Sequence, residues 1–213
     1  MEADGTRELL RRAADGDPEA AGTLVDGHRD RLRLMVGMRM DRRLRPRLDA
    51  SDVVQDVCLE ALKRLPHYLR EPDPMPFFLW MRFLAGQRLA MLHRFHLGAK
   101  ARDAARDVPL DRAPWTGASS AVLAEGLAAS VTSPSQAAVR REMRAHLRAA
   151  LDAMDPLDRE VLSLRHLEQL SNAETARELG LEVGAASKRY IRAFRRLKGL
   201  MSGLKSSGGR DSP

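Results

Sequence analysis

The sequence predicts an all-α protein built as two small helical domains joined by a flexible linker. Three observations predict it. Apolar residues recur at helical spacing through most of the 213 residues, and no segment requires a strand. The composition is 44% hydrophobic but only 4% aromatic, which suits helices packed with Leu, Ala, Val and Met better than a strand-rich sandwich. A stretch rich in Gly, Ala, Ser and Pro and poor in charge interrupts the periodicity over 108–133. The expected division is a first domain over 1–107, the linker over 108–133, a second domain over 134–204 and a disordered tail over 205–213.

A first helix is expected over 6–14, broken by Asp15-Gly16-Asp17-Pro18. A second runs from there to residue 40, before the cluster Arg42, Arg43, Arg45 and Arg47, where Pro46 breaks the chain. That cluster reads as a solvated loop or as a DNA contact. Ser51 or Asp49 can cap a third helix that runs through Leu65. A loop over 66–76 carries Pro72, Pro74 and Pro76, and a long fourth helix follows over 77–106. Within the linker a short helix over 120–128 is compatible with the pattern. Trp115 either docks on something or stays loosely packed. Helical pattern resumes over 135–154. Asp155 suits an N-cap and Pro156 the first helical position, so the next helix opens there and ends near Glu168. Ser171 and Glu174 form a capping box opening a short helix that Gly180 stops, and a last helix spans 183–201.

The formal net charge of +7 favours a polyanionic partner, nucleic acid or anionic lipid, although an arginine-rich composition alone produces the same balance. The single cysteine, Cys58, excludes an internal disulfide and a Cys-based zinc site, and reads as a small core residue. No run approaches the roughly 20 apolar residues of a membrane span. The acidic N-terminus lacks a signal peptide's apolar stretch. A cytoplasmic protein without membrane insertion is expected. His93 and His96 lie three residues apart, but no carboxylate or thiol joins them at useful spacing, so no metal or cofactor is expected. Asp52, Asp56 and Glu60, at i, i+4 and i+8, could hold Mg²⁺ in a nuclease, yet no second acidic cluster converges on them. With no Gly-rich phosphate loop and no catalytic motif, the chain is not expected to be an enzyme.

Residues 171–197 have the form of a helix-turn-helix: short helix, tight glycine turn, second helix. On the second helix Ala186, Tyr190, Ile191, Phe194, Leu197 and Met201 are expected to pack inward. Lys188, Arg189, Arg192, Arg195, Arg196 and Lys198 occupy its other faces with no acid among them. An ordinary solvated face mixes signs. This one fits a major groove, with early residues at base edges and later arginines at phosphates. By itself the motif does not exclude a stand-alone DNA-binding regulator.

The residues of this segment, Arg159-Glu160-Val161-Leu162, Leu170-Ser171, Glu174, Ala176, Leu179-Gly180, Gly184, Arg189, Arg192-Ala193 and Arg196-Leu197, resemble region 4 of the sigma-70 family, in its short extracytoplasmic-function type. Ser51-Asp52-Val53-Val54-Gln55-Asp56-Val57, with Phe77-Phe78-Leu79-Trp80 and Arg82, resembles region 2 of that family. The second segment argues against a stand-alone regulator, which needs neither feature. Gly184-Ala185-Ala186-Ser187-Lys188-Arg189 and Gln87 depart from the family pattern, so the DNA sequence read is not inherited.

The resemblance implies a factor that joins RNA polymerase core and directs promoter recognition, promoter melting and transcription initiation. It implies docking on the β′ clamp through Asp52, Gln55, Asp56, Leu59 and Glu60. On the same helix Val53, Val54, Val57, Cys58, Ala61, Leu62 and Leu65 form the inward stripe. It implies contact with a −10 element through Gln87, at a captured base's edge, and Arg82, Arg88, His93, Arg94 and Lys100, at phosphates. Phe77, Phe78, Trp80 and Phe83 are expected in the core rather than as stacking platforms. It implies contact with a −35 element through Ala185, Ser187, Lys188, Arg189, Arg192, Arg195 and Arg196. An anti-sigma partner fits the same faces, and the free protein is expected to be monomeric.

Overall fold

A computed structural model describes residues 2–41, 43–97, 119–131 and 137–207. Arg42, Lys100, Trp115, residues 108–118 of the expected linker and residues 208–213 of the expected tail lie outside the described residues. Every regular element among the described residues is an α-helix, and the chain divides into two compact units, Met1–Thr116 and Gly117–Pro213.

In the first unit, α1 (Glu2–Ala14) packs on α2 (Pro18–Asp26) across a turn in which Gly16 takes φ +89°, a backbone region that side chains disfavour. Asp17 caps α2 by accepting from the backbone N–H groups of Glu19 and Ala20, and Arg12 pairs with the same carboxylate. The second expected helix is two: α2 ends at Asp26, and α3 (Arg29–Arg39) begins after Gly27-His28. The break turns the His28 ring into the core, 5.5 Å from Phe77 and 5.6 Å from Phe78. Local pattern could not show this, because both rings come from about fifty residues downstream.

Asp49 caps α4 (Ala50–Tyr68), accepting from the Ser51 N–H at 2.6 Å. The helix continues past Leu65 through Pro66, which sits in its exposed last turn where water can serve the carbonyl that proline leaves unbonded. Tyr68 then closes the following loop: its hydroxyl donates to the Met75 carbonyl at 2.7 Å, and its ring lies 4.6 Å from Trp80. The last described helix of this unit, α5 (Phe77–Leu97), packs on α3 and α4. Val53, Val54, Val57, Cys58, Ala61 and Leu65 of α4 are buried with Met81, Leu84, Ala85 and Leu89 of α5. Burying a Val or Leu contributes about 1.5–3 kcal/mol, so this seam is a large part of the unit's stability. Leu62 departs from the expected inward stripe: it is 39% exposed, whereas Val54, Cys58 and Ala61 of the same helix are buried.

In the second unit, α6 (Ser120–Val131) packs on α7 (Ala137–Asp152) with Leu123, Ala124 and Ala128 buried. Gly126 permits close approach, since a Cβ there would lie 2.5 Å from a methyl carbon of Leu167. Part of the expected linker is therefore ordered structure. Asp155 caps α8 (Pro156–His166) through the Leu157 and Asp158 N–H groups. Arg159 of α8 donates to the Leu151 and Met154 carbonyls at 3.1 Å each, satisfying backbone acceptors at the end of α7. The capping box opens α9 (Asn172–Leu179) as expected, and Gly180 ends it in the left-handed region at φ +63°. The last helix, α10 (Val183–Ser207), runs longer than expected, into the predicted tail.

The loop before α4 reports on pH. Asp41 accepts from the Arg43 guanidinium at 2.8 Å, which with the Arg43 N–H lowers its pKa to about 2. Its own N–H donates to His93 Nε2 on α5 at 3.4 Å, a bond that only the unprotonated nitrogen accepts. Burial lowers the His93 pKa from its usual 6.5. The unfolded chain therefore takes up the proton first as pH falls. Unfolding titrations of the first unit should show stability falling as pH drops below about 6.5, and His93→Gln should flatten that dependence. A pH slope unaltered by the substitution would show that His93 does not carry it.

Candidate functional site

Two surfaces gather the residues expected to act. The first lies on α4 and α5. Asp52, Gln55, Asp56 and Leu59 are exposed and Glu60 is half-exposed, all on the side of α4 facing away from the seam. Leu62 joins Leu59 there, at 39% and 48% exposure, so the face is acidic with an apolar strip. Sequence pattern missed Leu62 because it sits at the margin of the buried stripe, where only the neighbouring helix decides. Gln55 accepts from Arg29 at 2.8 Å, Glu60 pairs with Arg64 at 2.5 Å, and Asp56 pairs with Arg88 of α5 at 2.5 Å. Among the described residues Asp52 carries no ion pair. These partners hold side chains that the Mg²⁺ reading needs free, and no three His, Cys, Asp or Glu groups among the described residues are placed to share a metal.

Of the residues expected at the −10 element, Gln87 and Arg88 are half-exposed and Arg94 is exposed. Two expectations change. Arg82 is 1% exposed: it lies on the face of α5 shared by Phe78, Met81, Ala85 and Leu89, all buried, and its guanidinium cannot meet a phosphate. His93 is half-buried and turned toward Asp41, and burial lowers its pKa, which disfavours the cation a phosphate contact would need. Phe77 and Phe78 are buried and Trp80 and Phe83 half-buried, consistent with core roles.

The second surface is α10. The Asn172 side chain on α9 donates to the Val183 carbonyl at 2.9 Å and fixes the start of α10 against the start of α9. A surface depression is lined by Leu181, Ala185, Lys188, Arg189, Ile191, Arg192 and Arg195. Ser187 and Arg196 lie beside it on the same helix, Arg196 exposed and Ser187 half-exposed. The inward seam differs from the expected one. Ala186, Ala193 and Leu197 are buried, whereas Ile191 and Phe194 are 44% and 47% exposed. Tyr190 and Phe194 remain in contact with His166 of α8, the Tyr190 hydroxyl lying 3.2 Å from His166 Nε2.

Arg189 has a structural partner that the sequence concealed. It donates to Asp158 at 2.8 Å and lies 3.7 Å from Asp155, and the Asp158 side chain is only 14% exposed. This side chain orients α10 on the start of α8. Arg192, Arg195 and Arg196 are exposed and carry no ion pair among the described residues. Arg189→Ala leaves a largely buried carboxylate unpaired, and urea unfolding of the full chain should show the second unit weakened by about 1–3 kcal/mol. A change below about 0.5 kcal/mol would assign the pair no structural weight.

Among the described residues no helix is long and apolar enough to cross a membrane. Comparison with known proteins gives four findings. The family model for sigma-70, region 4, matches residues 144–197, which span the end of α7, α8, α9 and most of α10. The chain is 27% identical over 198 residues to the ECF RNA polymerase sigma factor SigD of Mycobacterium tuberculosis, covering 93% of this chain and 84% of that one. It is 29% identical over 202 residues to the RNA polymerase sigma factor CnrH of Cupriavidus metallidurans, covering 93% and 95%. The solved structure of CnrH in complex with the cytosolic domain of CnrY shares the fold, with a TM-score of 0.52 at 24% identity over 93% of this chain and 98% of that chain.

Proposed function

From the premise that this chain belongs to the sigma-70 family, in its extracytoplasmic-function branch, we propose that it binds RNA polymerase core, reads two promoter elements and helps open the DNA between them. The family serves transcription initiation with RNA polymerase and is not enzymatic. The observation that carries the finer reading is that one unit presents an acidic face and the other a basic one. An acidic, partly apolar face on α4 suits a basic clamp, and the acid-free face of α10 suits a duplex.

In this reading Asp52, Gln55, Asp56, Leu59 and Glu60, with Leu62, dock on the polymerase. Lys188, Arg192, Arg195 and Arg196 hold phosphates around a −35 element, while Ala185 and Ser187 lie nearest the base edges. Arg189 positions α10. Gln87, Arg88 and Arg94 face the −10 element. Each contact set is weak alone, and tethering both units to one polymerase makes the pair effective. A protein that covers either face would silence the factor. That CnrH was solved with the cytosolic domain of CnrY supports such an anti-sigma partner here. The site of action is cytoplasmic, with the polymerase.

The test is transcription in vitro with sigma-free core polymerase from the source bacterium, mapping transcript 5′ ends on genomic DNA. Discrete new starts preceded by two motifs at fixed spacing are expected. Active core and folded protein yielding no new starts would instead favour a stand-alone DNA-binding regulator.

A further inference from the structure

The chain between the two units is shorter than its composition suggests. Residues 108–133 read as one linker, yet α6 lies within that stretch and is folded onto the second unit. Three features hold it there. Leu123, Ala124 and Ala128 are buried, as are Leu147, Ala150 and Leu151 of α7, the helix on which α6 packs. Glu125 pairs with Arg144 of α7 at 2.5 Å. Gly126 receives the side chain of Leu167. A Cβ on Gly126 would lie 2.5, 3.1 and 3.4 Å from its Cδ2, Cδ1 and Cγ, so the isobutyl group fills the space that any side chain would need. Leu167 is itself buried and has little room to turn away. A mid-helix glycine weakens a helix relative to alanine, and a free helix of 12 residues is marginal in water. α6 is therefore helical because it is docked, and Gly126 is what lets it dock.

Docking sets the reach of the tether. With α6 docked, the tether from the end of α5 to the second unit is residues 98–119, which span at most about 75 Å however they fold. With α6 free it would be residues 98–136, and residues 120–136 would add at most about 60 Å. One turn of duplex is about 34–36 Å. The added reach exceeds a turn, so the state of α6 bears on which spacing of two DNA elements one chain can hold. We propose that α6 stays docked in the working factor, and that the Gly126–Leu167 notch thereby keeps the tether short and narrows the promoter spacing that the factor accepts. The proposal rests on the two-element reading above.

The test uses the full chain reconstituted with core polymerase. Transcription is measured on a promoter found by 5′-end mapping and on the same promoter with its two elements moved apart by one helical turn, which keeps both on one face of the duplex. The wild type should lose about tenfold or more on the lengthened promoter. Gly126→Val drives methyl groups into Leu167 and should undock α6, seen as lost hydrogen-exchange protection of its amides. It should raise activity on the lengthened promoter about threefold or more. Adding Leu167→Ala removes the clash and should restore both the protection and the wild-type preference. A Gly-Ser insertion of about 17 residues after Asp107 lengthens the tether without touching α6, and should relax the preference in the same direction. If α6 loses its protection when the wild type joins core, the proposal is overturned, because the tether then lengthens on assembly. If the insertion variant keeps the wild-type preference, tether length does not set spacing, which also overturns it. Should Gly126→Val unfold the second unit, the insertion variant decides by the same criterion. A wild type that initiates nowhere, with active core, removes the two-element reading on which the proposal stands.

Discussion

Replacing Arg192, Arg195 and Arg196 together by alanine should lower affinity for promoter DNA roughly 100-fold near physiological salt. Each phosphate contact releases a condensed counterion, so the loss has a signature beyond its size. The slope of log affinity against log salt should become shallower by about 2 to 3. The three side chains are exposed and carry no ion pair among the described residues, so their removal leaves the seam of Ala186, Ala193 and Leu197 intact. Anisotropy titrations at three or more salt concentrations, on a promoter fragment found by 5′-end mapping, check both numbers. Equal affinity with parallel salt slopes would remove α10's basic face from DNA binding. Arg189 is excluded from the triple because its loss would confound binding with stability.

Leu59→Asp should weaken binding to core polymerase by about 30-fold or more, the scale of a buried anchor at an interface centre. Leu59 is 48% exposed in the free chain and lies among carboxylates, so the substitution adds charge without disturbing the α4–α5 seam. It is a cleaner probe than Asp56→Arg, which places a second guanidinium against Arg88, the present partner of Asp56. Asp56→Asn keeps the size and removes the charge, and should slow association with core in a salt-dependent manner. Stopped-flow association and competition binding measure these effects. If Leu59→Asp binds core as tightly as the wild type, the polymerase docks elsewhere.

Helix ends and turns were legible in the sequence because the groups that make them are near neighbours in the chain. Asp155 with Pro156, Ser171 with Glu174, and Gly180 each act within four residues, and each does in the structure what its chemistry allows locally. The polar and apolar sides of α4 were legible for the same reason, since helical period sets them. Period fixes a stripe only to within about one residue on either side, however, and Leu62, Ile191 and Phe194 fall on that margin.

What the sequence by itself determined is the helical class, the caps and the presence of one acidic and one basic helix. The tertiary structure alone decided which charges are free to act. Arg82 and Arg192 are alike as letters, yet one is sealed in a core and the other faces water. Arg189 pairs with the largely buried Asp158 and Arg88 with the exposed Asp56, across 31 and 32 residues of chain. His28 breaks a helix to reach Phe77 and Phe78. Each of these outcomes depends on groups far apart in the chain that only packing brings within contact distance, and a periodicity read one segment at a time carries no record of them.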